Sequence, residues 1–390
     1  MKRLMILGAS RGQVGLYEAC KKLGIYSIAA SIEGDYPGFA LADEICIVDI
    51  CDKDAVLQKA KALEIDGIVT CCMDTGLQTV GYVASELKLP GLSAQAALDC
   101  GDKLCMKRRL VQEGVPTAPF VEIHKESDLE TIASLGLPVV IKSCASQGSS
   151  GVVVAYDADQ AYQAAQNMLS QEGLCIAEQF LSGEEFGAQA CVNNGEIVFV
   201  MPHGDITYTL QAPIPVGHFV PLDAGQRVVD DAVVVSEQAI RALDLDNCAV
   251  NIDIMNTEQG CMILELTGRA GANTLPELVS AAYGVDYYEK IALIAVGETI
   301  DKEQFDLKDL TALGKMEYVL EDGVLEEFDP VKLNNSVANL RTFVKPGSAV
   351  HAFSSLHDCV GQIVVTGDSL NTCKALEQAQ FEQSFKIAYA

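Results

Sequence analysis

Asn251-Ile-Asp-Ile-Met-Asn-Thr-Glu-Gln-Gly260-Cys-Met-Ile-Leu-Glu265-Leu-Thr-Gly-Arg-Ala-Gly271 is the stretch from which the fold can be read. Two alternating apolar runs flank Thr257-Glu-Gln-Gly260, the pattern of a β-hairpin. With Glu258, Gln259 and Gly260 in the loop, Gly260 takes the φ > 0 position that such loops favour. This register sets Asp253 opposite Glu265. Period-two alternation places both on the face opposite Ile252, Ile254, Leu264 and Leu266. Like charges facing each other across a sheet are destabilising, and a divalent cation is the economical compensation. Mg²⁺ typically takes one or two carboxylates plus substrate phosphates. Arg269 falls on the same face if the strand continues. The competing reading is a surface hairpin whose carboxylates are simply solvated.

Composition narrows the partners. The chain has 390 residues, 49% of them hydrophobic, and a formal charge of −27. That is enough for two or three domains with a sizeable core. The charge argues against nucleic acid or an anionic membrane as partner, since both need basic patches. No apolar run reaches transmembrane length. The 14 cysteines are scattered, with no CxxC, no Cys/His zinc spacing and no secretory signal. This points to the reducing cytoplasm, where cysteine acts as a small hydrophobe.

Residues 1–97 alternate strand and helix, which implies a parallel sheet with helices on both faces. The first turn, Gly8-Ala-Ser-Arg-Gly12-Gln-Val-Gly15, is not GxGxxG, and no acidic residue closes the second strand. A nicotinamide-nucleotide site is the weaker reading there, and a helix N-terminus holding a carboxylate or phosphate the commoner one. Gly101-Asp-Lys103 opens a basic helix. Lys103 sits in its first turn, whereas Lys107, Arg108 and Arg109 read as a solvated face. Gly114-Val-Pro-Thr-Ala-Pro119 ends the helix and leads into the next module.

Leu137 to Lys142 reads as a strand, Ser143 to Gly151 as a small-residue loop, and Val152 to Tyr156 as a second strand. This differs from a P-loop, which opens a helix. The chemistry still suits phosphate: small side chains let backbone N–H groups approach an anion, and Lys142 supplies charge. The alternative is an ordinary hairpin tip. Glu178-Gln-Phe180-Leu181 and Glu185 place carboxylates around an apolar linker, the mixture that an adenine slot and a ribose need, although each alone reads as a surface glutamate. Residues 201–225 hold His203, His218, Pro213, Pro215 and Pro221 and read as a loop region with substrate-site potential. Gln226 to Leu243 is a helix preceding the hairpin. Residues 301–390 read as a small β-rich module ending in a helix from Leu370.

Taken in order, these parts resemble the ATP-grasp superfamily, specifically its carboxylate–amine ligase branch with carbamoyl-phosphate-synthase-like relatives. The resemblance implies an α/β fold, α+β in the nucleotide-binding part. Its expected parts are a pre-ATP-grasp domain over 1–97, an ATP-grasp domain over 98–300 with a lid over about 120–181, and a C-terminal cap over 301–390. It also implies roles. Lys103 and Lys142 would contact ATP phosphates, and the loop holding Ser146, Gly148, Ser149, Ser150 and Gly151 would fold over them. Glu178, Phe180 and Leu181 would line the adenine slot, and Glu185 would take the ribose. Asp253 and Glu265 would hold Mg²⁺ or Mn²⁺, and Arg269 would orient the carboxylate or stabilise an acyl phosphate. The family's Glu-x-Asn-Pro-Arg reads Glu265-Leu-Thr267-Gly-Arg269 here, so a hydroxyl replaces an amide carbonyl at the metal. The implied reaction is ATP-dependent joining of a small carboxylate to an amine, amino acids among them, through an acyl phosphate. A purine-biosynthesis-type carboxylase or ligase is a neighbouring reading. A nucleotide-binding regulator without catalysis is the alternative from another class. A homodimer is a family expectation.

Overall fold

The structure, a computed structural model, describes residues 1–144, 151–209 and 213–389. The N-terminal unit follows its alternating pattern. Strands β1 (Arg3–Leu7), β2 (Tyr26–Ser31), β3 (Glu44–Ile47) and β4 (Gly67–Val69) form a parallel sheet in the order β3-β2-β1-β4. Helices α1 (Val14–Leu23), α2 (Lys53–Ala62) and α3 (Leu77–Leu87) cross between or follow these strands. Leu4, Met5, Ile6 and Leu7 are fully buried, as a parallel strand covered on both faces requires. Gly24 ends α1 in the left-handed conformation, the usual glycine stop.

Helices α4 (Ala94–Gly101) and α5 (Lys103–Gln112) lead out of this unit. Asp102 caps α5, its carboxylate accepting from the Cys105 N–H at 2.9 Å. A small sheet follows: β5 (Phe120–Ile123), β6 (Val139–Ser143), β7 (Val152–Ala155) and β8 (Cys175–Gln179), in the order β5-β8-β6-β7, with α6 (Ala158–Glu172) packed on it.

An eight-stranded sheet organises the rest. Its strands are β9 (Glu184–Asn193), β10 (Glu196–Thr209), β11 (Pro213–Val220), β12 (Cys248–Thr257), β13 (Gly260–Thr267), β14 (Thr311–Glu317), β16 (Val337–Thr342) and β18 (Gly361–Gly367). Their order is β13-β12-β9-β10-β11-β14-β18-β16. Residues 201–225 therefore are mainly strand, not loop. Prolines suggested a break, but Pro215 is accommodated where the β10–β11 register shifts, the kind of place where a strand tolerates proline. Three strands from residues 301–390 extend the same sheet, while β15 (Gly323–Phe328), β17 (Ala349–Val350) and β19 (Phe385–Tyr389) form a separate three-stranded one.

The β12–β13 hairpin has the expected pairing of Asp253 with Glu265. Its turn is tighter than expected: Gly260 is the first residue of β13, pairs with Thr257 and holds φ +112. The register shifts between Asp253 and Ile254, which pairs Ile254 with Ile263 and leaves Leu264 as the extra residue. Ile263, not Leu264, therefore joins Ile252, Ile254 and Leu266 on the buried face, all four fully buried. They pack against Val235, Ala239 and Ile240 of α7 (Gln226–Ala242). Each such side chain is worth about 1.5–3 kcal/mol of burial, so the opposite face of the hairpin is held outward by the core. Helices α8 (Leu275–Tyr283), α9 (Tyr287–Ala295) and α10 (Leu370–Ser384) complete the fold. Among the described residues, no helix is long and apolar enough to cross a membrane.

Candidate active site

Three sets of side chains meet around the outward face of the eight-stranded sheet. The first comes from α5 and the small sheet. Lys142 on β6 donates to Glu178 Oε2 on β8 at 2.9 Å. Lys107, one helical turn after Lys103, lies 3.4 Å from Glu178 Oε1 and donates to the Thr117 hydroxyl at 2.7 Å. Its side chain is wholly buried, which corrects the solvated reading of this residue. The sequence did carry a signal, because positions i and i+4 share a helix face. Burial pushes the Lys107 ammonium down to about 8, with Glu178 opposing. Arg108 and Arg109 are the surface residues expected: Arg108 pairs with Glu122, and Arg109 donates to the Ala242 carbonyl.

Glu178 is buried, Phe180 is exposed and Leu181 is intermediate. The Phe180 N–H donates to the Pro138 carbonyl, tying this linker to the small sheet. The Ser143 N–H donates to the Gly151 carbonyl at 3.0 Å, so the base of the β6–β7 loop is closed. Ser146, Gly148, Ser149 and Ser150 lie outside the described residues.

The second set lies on the sheet itself. Cross-strand register puts Glu265, Asp253, Gly187 and His203 in one row. Asp253 is pushed up to about 7, first by desolvation, then by the Glu265 and Glu185 carboxylates. Lys103 reaches across from α5, its Nζ 3.3 Å from Glu265 Oε1. Glu185 is at the exposed rim. Desolvation and Asp205 raise its pKa, and Lys142 opposes them.

The third set is the loop after β13. The strand ends at Thr267, so Arg269 does not continue its alternation. It instead forms a two-pronged pair with Asp74: Nε to Oδ1 at 2.7 Å and Nη2 to Oδ2 at 2.6 Å. The Thr267 hydroxyl donates to the same Asp74 Oδ1 at 3.0 Å. Burial works against ionising Asp74, but Arg269 and Thr267 outweigh it and hold the carboxyl below its ordinary value. Thr267 is thus engaged in orienting the Asp74–Arg269 pair. An amide stands directly across the ladder instead: Asn251 pairs with Thr267, donates to Asp253 Oδ1 at 3.4 Å and accepts from Gln189. Nothing local in the sequence marks Asp74, which sits 195 residues from its partner.

A cavity of about 900 Å³ opens beside this loop. The first turns of α1 and α8 face it, with Gly12, Asn273 and Thr274, and its charged walls are Arg11, Arg341 and Glu277. Helix N-termini and guanidinium groups are features that can receive an anion; Arg341 here is paired with Glu18.

Comparison with known proteins gives the family. A family model for the phosphoribosylglycinamide synthetase ATP-grasp (A) domain matches residues 101–210. The crystal structure of phosphoribosylglycinamide synthetase from Anaerococcus prevotii is 36% identical, with all of both chains covered and a TM-score of 0.87. An L-arginine-specific L-amino acid ligase from Bacillus subtilis is 23% identical, over 75% of this chain and 73% of that one. The L-amino acid ligase structure from Bacillus licheniformis shares the fold, with a TM-score of 0.80 at 20% identity over 100% of this chain and 99% of that one. On the whole-length identity to the first of these structures, the chain belongs to the ATP-grasp ligases, enzymes that use ATP to form carbon–nitrogen bonds.

Proposed function

We propose that this ligase activates a small carboxylate as its acyl phosphate and passes the acyl group to a small amine, releasing ADP and phosphate. The observation that carries the reading is the Asp253–Glu265 pair: two carboxylates set opposite each other, one of them pushed up to about 7. Such opposition is costly without a cation. ATP-grasp ligases in general use ATP and Mg²⁺, and hard oxygen donors in this arrangement fit Mg²⁺, with Mn²⁺ an acceptable substitute. Bound there, the ion would offset phosphate charge during transfer.

The remaining roles belong to the chain's own residues. Lys103 and Lys142 would hold phosphate oxygens, and the loop ending at Gly151 would cover them. Glu178, Phe180 and Leu181 would border the adenine, and Glu185 would accept from the ribose. Lys107 would hold Glu178 in place. Arg269, fixed by Asp74, would face the carboxylate as negative charge develops on it; preorganised charge of this kind is a principal source of rate enhancement. The cavity lined by Arg11 and Arg341 would receive the carboxylate or amine substrate. Domain limits near residues 97 and 300, with the small sheet as lid, fit this division of work. A cytoplasmic setting and a homodimer complete the proposal.

The test is phosphate release from Mg-ATP with the purified chain. Amino acids, singly and in pairs, and phosphoribosyl amines with amino acids form the panel that the relatives' names suggest. Products are identified by mass. Release that depends on one carboxylate and one amine, with a product equal to their sum less water, is expected. ATP binding with no release across the panel would count against this reading.

Arg269 gives a sharper check. Lysine keeps the charge but cannot make the two-pronged contact. Arg269→Lys is expected to lower kcat with the identified substrates by about a hundredfold, the scale of losing one oriented donor. The affinity for ADP should stay within about twofold, because the role assigned to Arg269 lies with the carboxylate. A normal kcat would remove Arg269 from the chemistry.

A further inference from the structure

One cluster on the sheet is not used by this mechanism. Asp205 on β10 pairs directly with His218 on β11, and His203 lies two residues earlier on β10, on the same face. His218 Nδ1 is 2.7 Å from Asp205 Oδ1, and His203 Nδ1 is 3.3 Å from the same oxygen. One ligand atom from each of the three residues lies within 4.8 Å of the others. His203 is 2% exposed; its Nδ1 faces the Asp205 carboxylate without hydrogen-bond geometry, and its Nε2 has no partner at all. Buried polar atoms left in that state are rare and call for an explanation. The ring has room because position 187 is glycine: a Cβ there would lie 2.4 Å from His203 Cε1 and 2.6 Å from Nε2.

We propose that His203, Asp205 and His218 bind a divalent transition-metal ion, zinc being the best fit, separate from the Asp253–Glu265 position. Two imidazoles and one carboxylate are a zinc donor set, with a fourth position left for water or a substrate oxygen. Imidazole nitrogens also select against Mg²⁺, which prefers oxygen. Bonds of about 2.0–2.2 Å in tetrahedral geometry set neighbouring ligand atoms roughly 3.3 Å apart. The His203–Asp205 pair already has that spacing, and the His218–Asp205 pair reaches it by opening roughly half an ångström. Asp–His contacts alone would account for His218 and for Nδ1 of His203 but leave the buried His203 Nε2 unexplained. The two positions are distinct because His203 and Asp253 lie two strands apart through Gly187, roughly 9–10 Å across the sheet.

Co²⁺ is the probe. The full chain, stripped with chelator, is titrated with Co²⁺ in the presence of excess Mg²⁺ and without nucleotide. The expected result is one equivalent bound, with the visible bands of four-coordinate cobalt, no thiolate-to-cobalt charge-transfer band, and displacement by Zn²⁺. His203→Ala and Asp205→Asn should each weaken uptake by more than the roughly 10–100-fold that an outer-shell partner is worth. Asp205→Asn is nearly isosteric and decides the matter if His203→Ala fails to fold. Asp253→Asn should retain the cobalt spectrum. The proposal is overturned by absence of uptake, by a thiolate band with uptake unchanged in the histidine and Asp205 variants, or by uptake lost in Asp253→Asn. None of these outcomes depends on turnover, so the site and the ligase reading stand or fall separately.

Discussion

Glu178→Gln is expected to cost about 3–5 kcal/mol of folding stability, the range for removing one member of a buried ion pair. Glu178 is buried between two ammonium groups, Lys142 at 2.9 Å and Lys107 at 3.4 Å. Its Oε1 accepts no hydrogen bond, so the nearby Lys107 charge is what compensates it. With glutamine in place, Lys107 loses its nearest opposing charge, keeps only the weaker influence of Glu265, and must stay buried as a cation or give up its proton. Giving it up is costly at pH 6, because an unfolded lysine titrates near 10.4. The cost shrinks as pH rises toward that value, so the Glu178→Gln deficit should be smaller at pH 9 than at pH 6. Lys107→Met should cost less, since Lys142 still faces the carboxylate. Urea unfolding at both pH values measures this through the midpoint, with an unchanged slope if stability alone has moved. A deficit below about 1 kcal/mol at pH 6 would show that the trio is worth no more than a surface pair.

Lys107 also shows where reading from sequence stops. The eight-stranded sheet was half legible, because the β12–β13 hairpin has strict alternation and a glycine-bearing turn, and the parallel N-terminal sheet follows from its strand–helix rhythm. The opposed carboxylates followed from period two. The bulge that swaps Ile263 for Leu264 did not, because either residue is apolar and only packing against α7 chooses between them. Prolines hid β11 and the part of β10 after Val200, since local chemistry favours a loop where tertiary pairing makes a strand. With those strands hidden, the His203–Asp205–His218 cluster was hidden too. The Arg269–Asp74 pair joins two units of the chain through a contact that no spacing encodes, and the Thr267 hydroxyl, read as a weaker substitute at the metal, donates into that contact.

Asp253→Asn is expected to separate stability from catalysis. In the metal-free protein, the folded state keeps a proton on Asp253 up to about pH 7, whereas the unfolded chain releases it near pH 4. Between these values the folded state binds more protons, so its stability falls as pH rises from about 4 to about 7 and stays low above that. The gap between the two titration points corresponds to at most roughly 4 kcal/mol. Asparagine removes the titrating group and most of the repulsion from Glu265 and Glu185. The metal-free variant should therefore be more stable than the parent by about 1–4 kcal/mol at pH 8, the advantage vanishing near pH 4. Mg²⁺ binds only the folded state and should narrow the gap by stabilising the parent. Turnover should move the other way, falling at least a hundredfold to about a thousandfold, the scale of losing a preorganised electrostatic partner in the transition state. Chelator-treated unfolding at pH 5 and 8, with phosphate release at saturating Mg-ATP, reads both effects on one preparation. Near-normal turnover would remove Asp253 from the metal. An unchanged pH profile of stability would mean the opposed carboxylates are already relaxed by solvent, and the cation reading of the hairpin would lose its physical basis.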